Sequence, residues 1–298
     1  MKQTFNFSKG LAFTALFGLL VFTSCKKESN ETLTPIAPTD VEATVEASRQ
    51  DAEAEEQFDD VFNITGSINA QDAGEDLGFG VNVSGLDDLG ARTDSAHRCY
   101  RVTVVPNIPG VFPKTVTVDF GDGCLGRDGK YRKGKIVSIY TNRMLVPGAK
   151  VSTTFLNYFV DSFKIEGTHI TENTSTSNMQ GWKITVLEGK IINTNTAKWK
   201  KWNSTKNVLQ IEGNGTPHFP LDDIYKITGG ARGSNSMGHT WASIVIEPLI
   251  KKFTCRWIVK GTVNLARDGR QALLDYGNGS CDNQAILYIN GVGYPINL

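Results

Sequence analysis

Carboxylates set beside glycines are the first groups in this chain with the means to do chemistry, and they occur twice. Val118-Asp119-Phe120-Gly121-Asp122-Gly123-Cys124 is echoed by Leu274-Asp275-Tyr276-Gly277-Asn278-Gly279-Ser280-Cys281. Asp119 with Asp122, and Asp275 with Asp282, are the residue type that glycoside hydrolysis uses, two carboxyls about 5 to 10 Å apart in a cleft. Their spacing selects no pair. Gly-Asp-Gly and Gly-Asn-Gly are strong turn chemistry, since Asp and Asn tolerate a left-handed backbone, and the turn reading prevails. Gly233 to His239 sets serines near a histidine, but its glycines are five apart and a strand follows. A nucleophile elbow needs Gly-x-Ser-x-Gly ahead of a helix. We expect no catalytic residue and no enzyme.

Metal chemistry fares no better. His97, His169, His218 and His239 include no two within twenty residues, so no short-spaced zinc set exists. Asp72, Glu75, Asp76, Asp87 and Asp88 lack the tight alternation of a calcium loop. No metal ligands and no cofactor are expected. The surface with most to offer a ligand is Lys198, Trp199, Lys201 and Trp202, where indoles among lysines suit sugar rings or a headgroup layer. On a strand, residues three apart point to opposite faces, so one tryptophan goes to the core. Arg127, Lys130, Arg132, Lys133 and Lys135 make a second basic cluster, for which a lysine-rich strand edge is the plainer account.

The elements that carry these residues begin with an address. Lys2 and Lys9 precede an apolar run from Leu11 to Phe22, then Thr23-Ser24-Cys25, so residues 1–24 read as a secretory signal. The cysteine at the cleavage point resembles a bacterial lipobox and makes Cys25 the expected lipidation site. Palmitate and its companion acyl chains would hold the protein firmly, since one chain alone binds marginally. Residues 25–38 read as tether. Charge is zero overall but uneven: residues 28–60 hold eleven acids against Arg49, and the rest, from Val61 on, twenty acids against twenty-six bases. That excess is too weak to imply nucleic acid.

Residues 39–62 read as an acidic amphipathic helix, with Thr39 and Glu42 as a capping box and Phe58 and Phe62 leaning weakly on the body. Residues 63–97 read as a mobile Gly/Asp-rich loop. In it, Asp94-Ser95-Ala96 resembles a short O-glycosylation acceptor of Bacteroidota, which marks Ser95.

From residue 98 to 298 the hydrophobic period is two. About a dozen strands, among them 151–160 with 163–171, 181–193 and 198–212, join through short polar turns. The fold class is all-β, a large antiparallel meander, barrel-like or sandwich, with one N-terminal helix. With Cys25 lipidated, four cysteines remain and allow three pairings. A turn centred between Arg267 and Asp268 sets Cys255 opposite Cys281, and one near Val111 sets Cys99 opposite Cys124, giving two disulfide-clasped hairpins.

Phe112 to Cys124, Arg132 to Ile136, Thr154 to Val160, Lys164 to His169, Cys255 to Thr262 and Leu274 to Asn283 resemble blocks of a lipoprotein family of Bacteroidota. The resemblance spans most of 98–298. It implies an envelope location, outer-membrane and lipid-anchored, on either face, and brings no activity with it. The expected role is non-enzymatic, structural or binding, with the membrane, a glycan or an envelope protein as partner. The alternatives are a carbohydrate-active or other hydrolytic enzyme on a β scaffold, and a subunit of a larger envelope assembly.

Overall fold

The computed structural model describes residues 37–78, 99–126, 128–215, 220–255 and 257–298. The signal, Cys25, the tether to residue 36, His97, Arg127, His218 and Ser95 lie outside them. A helix α1 (Pro38–Gly66) and a single turn α2 (Ala70–Ala73) precede the strands. These are β1 (Arg101–Val105), β2 (Lys114–Asp119), the two-residue β3 (Cys124–Leu125), β4 (Tyr131–Tyr140), β5 (Lys150–Val160) and β6 (Phe163–Asn173). They continue as β7 (Gly181–Asn193), β8 (Trp199–Glu212), β9 (Ile224–Asn235) and β10 (Thr240–Lys252). Last come β11 (Ile258–Arg267), β12 (Arg270–Asn278), β13 (Gln284–Ile289) and β14 (Val292–Asn297).

All fourteen strands belong to one antiparallel sheet in chain order, with β3 off the path and paired only to β4. The path starts at β1 and ends at β14, so the antiparallel meander is an open sheet rather than a closed barrel. Its curvature has a local cause. Between β4 and β8 the register shifts at Lys133/Lys135, Thr154/Tyr158, Glu166/Thr168 and Val186/Gly189. An extra residue on one strand bends it and sharpens its twist. Gly134 shows why glycine is needed on this seam: at φ 82°, a Cβ there would lie 1.9 Å from the Asn157 carbonyl oxygen.

The sheet bends around α1. Ala47, Ala54, Phe58, Val61 and Ile64 of the helix are at most 4 % exposed, and Phe58 stacks on Trp202 at 5.7 Å. The expected weak docking is therefore corrected, because α1 fills the concave face. It also runs past the expected residue 62, and part of the expected loop after it is ordered, with Ile68, Ala73 and Leu77 buried. The capping box is corrected too. Pro38 opens the helix behind Ala37 without a side-chain cap, as suits a residue whose missing N–H is not needed there. Asp40 reaches Arg267 and Arg270 instead, at 3.5 and 2.9 Å.

The two cysteine pairs are the expected ones, Cys99–Cys124 and Cys255–Cys281, with Cα separations of 5.3 and 5.7 Å. Their setting differs from two facing ladder positions. Cys99 stands ahead of β1 while Cys124 lies in β3, and Cys255 and Cys281 lie just outside β11 and β12. Each bridge closes the open end of its hairpin.

Candidate functional site

Alternation along β8 sends Lys200, Trp202, Ser204 and Lys206 to the concave face, all buried, and Trp199 and Lys201 to the convex one. Over the inward set lies α1, and its acids meet donors almost one for one. Asp51 accepts from Trp202 Nε1 at 2.7 Å and Trp241 Nε1 at 3.1 Å. Glu53 accepts from Lys200 Nζ, and Glu55 pairs with Lys206 at 3.1 Å. Asp60 takes Arg132 bidentately at 2.5 and 3.0 Å, while Asp128 takes the same guanidinium at 2.6 and 3.1 Å. Burial opposes the Arg132 charge, yet the bonds from Asp128 and Asp60 outweigh it and hold its pKa above the usual range. Burial likewise opposes the Lys206 charge, and Glu55 and Asp51 overcome it.

Beyond the helix the same pattern recurs. Lys114, fully buried, donates to the Pro106 carbonyl at 3.1 Å and pairs with Glu75 at 3.2 Å. One buried group stands apart. His169 stacks on Phe58 at 6.4 Å, neither ring nitrogen has a partner, and burial pulls its pKa down to about 4. This interior is suited to holding a helix: its carboxylates and cations neutralise one another, and the concavity they line is occupied by the chain itself.

On the convex face the register builds a different arrangement. Lys133, Phe159, Lys164, Ile192 and Trp199 are successive partners across β4, β5, β6, β7 and β8, and so form one row. Lys133 Nζ lies 4.2 Å over the Phe159 ring, and Lys201 Nζ lies 5.8 Å over Trp199. Beside that row Lys190 of β7 stands directly opposite Lys201 of β8. At its β4 end the row runs into an open depression of about 560 Å³ whose lining includes Asp119, Asp122, Lys133, Lys135 and Phe159. Lys135 pairs with Asp119 at 2.7 Å, and that bond, with one from the Gly121 N–H, holds the Asp119 carboxyl below its ordinary range.

The structure thus divides the residues that sequence grouped. Trp202 is corrected from ligand surface to core, 2 % exposed and bonded to Asp51. Lys198, Trp199 and Lys201 stay outward. The second basic cluster splits as well, Lys130 and Arg132 turning in to Asp60 while Lys133 and Lys135 turn out. Asp122 joins the convex depression, far in sequence from Asp275 and Asp282, and His239 is bonded to Asp268 at 2.9 Å in its turn. Lys164 and Lys190 went unnoticed in the sequence, where neither sits in a charged run. Only pairing constrained by the β5–β8 turns would have placed them beside Lys201. No family model, curated protein or solved structure matches the chain.

Proposed function

We propose that this is a lipid-anchored protein of the outer envelope with a structural or binding role and no catalytic one. One observation carries the non-catalytic part. The inward carboxylates most suited to chemistry, Asp51, Glu55 and Asp60, are bonded to Trp, Lys and Arg side chains that seat α1 in the concave face. A group engaged in that way offers neither a free base nor room for substrate. Thr23-Ser24-Cys25 supports the anchor, and the resemblance of blocks within 98–298 to lipoproteins of Bacteroidota supports the location.

The anchor is tested by metabolic palmitate labelling. Wild type takes label and sediments with membranes, and Cys25→Ala does neither; a Cys25→Ala protein that stays membrane-bound without label contradicts the reading. Turnover of any glycoside or ester substrate that Asp59→Asn or Asp122→Asn abolishes would put the hydrolase alternative in its place. The assembly reading has one observation in its favour. β14 is an uncovered sheet edge among the described residues, and Ile244 and Leu273 are 54 % and 37 % exposed on the convex face.

A further inference from the structure

We infer that the convex band formed by Lys133, Phe159, Lys164, Lys190, Trp199 and Lys201 is a binding site for a linear acidic polysaccharide, carboxylated or sulfated. The inference rests on the binding reading above and names its ligand.

Charge is the first reason. Lys190 and Lys201 face each other across β7 and β8, where Cβ atoms lie about 4.5–5.5 Å apart and like charges repel. Glu166, the partner of Lys190 on its other side, is bonded to Lys164 at 2.7 Å. Among the described residues no carboxylate lies within ion-pair distance of Lys133, Lys190 or Lys201. The sheet therefore bears three uncompensated cations that an anion would stabilise. Inside the molecule the buried Lys114, Lys200 and Lys206 each have an acid.

Presentation is the second. The Phe159 and Trp199 rings hold Lys133 and Lys201 over their faces, an attraction worth about 0.5–1 kcal/mol at exposed sites. Ordered ammonium groups cost less to bind than freely rotating ones. The rings lie three strand spacings apart, roughly 14 Å, with Ile192 and Lys164 between them. Such a continuous, partly apolar row of spaced cations fits a chain of rings with periodic negative charge. The row runs close to the strand ends, along one rim of the sheet, so an anionic headgroup layer is the competing occupant that the test must separate.

The test uses the full lipidated chain in neutral detergent and measures binding to polygalacturonate, chondroitin sulfate and dextran by biolayer interferometry. At least one acidic polymer binds, dextran does not, and affinity falls as salt rises. Lys133→Ala/Lys190→Ala/Lys201→Ala weakens binding tenfold or more. The same three positions as Arg retain it, and Lys183→Ala/Lys226→Ala, convex lysines outside the band, leaves it unchanged. The inference is overturned if neither acidic polymer binds, or if both alanine variants lose equally. Binding confined to phosphatidylglycerol vesicles overturns it as well. Each of these results leaves palmitate labelling at Cys25 untouched, so failure of the ligand is told apart from failure of the anchor.

Discussion

At the scale of the residue, Asp51 shows how much of the interior rests on single acids. One carboxyl oxygen satisfies the indole N–H groups of Trp202 on β8 and Trp241 on β10, tying two strands to the helix. Asp51→Ala leaves two buried donors orphaned, and we expect a loss of about 2–4 kcal/mol in urea unfolding. Asp60→Ala removes one of the two carboxylates on the buried Arg132 guanidinium, leaving Asp128, and should cost about 1–3 kcal/mol. Losses below about 0.5 kcal/mol would mean that the helix is not seated this way. Sequence showed that Trp199 and Trp202 must part, because alternation demands it. It hid the inward Lys200 and Lys206, because lysine belongs outside unless a partner is waiting, and the partners are about 150 residues away on α1.

One residue of the interior gives a pH signature. His169 titrates at about 4 against 6.5, so the unfolded state holds the extra proton and stability falls as pH drops through that window. Between pH 6.5 and 4 wild type should therefore lose more stability than His169→Phe, read by thermal unfolding at both values. Equal losses in the two proteins would place His169 in an ordinary solvated setting.

At the scale of the element, the strands were the most legible part. β7 spans Gly181–Asn193, and β5 and β6 turn at Asp161-Ser162, as their alternation and turn residues predict. The seam of bulges was not legible, since glycine at 134, 167 and 189 reads in sequence as weak strand or as turn. The β1–β2 ladder ends at Arg101/Asp119 and the β11–β12 ladder shifts at Lys260/Thr262 and ends at Lys260/Asn278, so both bridges lie beyond those ladders, at the hairpin mouths. Helix α1 looked only modestly amphipathic for a related reason. Its polar residues also face protein, so no clean apolar stripe was required of it. Each bridge closes a loop of about 25 residues, worth roughly 3 kcal/mol on the chain-entropy account. Cys255→Ser/Cys281→Ser should lower unfolding stability by about that much without changing the far-ultraviolet spectrum. A collapse of the sheet spectrum would show that the bridge determines the fold.

At the scale of the molecule, the uneven charge of the chain acquires a physical meaning. The acidic 28–60 segment read as a stem beneath a mildly basic body. In the fold, Asp40, Glu53, Glu55 and Asp60 of that segment pair with Arg267, Lys200, Lys206 and Arg132 of the body. The asymmetry is internal complementarity, and part of the apparent stem is the core. What remains basic faces outward along the convex band. Hydrogen exchange of the full chain, resolved by peptide mass spectrometry, tests this most directly. Residues 44–64 of α1 should exchange as slowly as β6 and β8, through global unfolding alone. Exchange of that helix within seconds, while the sheet stays protected, would contradict a helix-filled sheet.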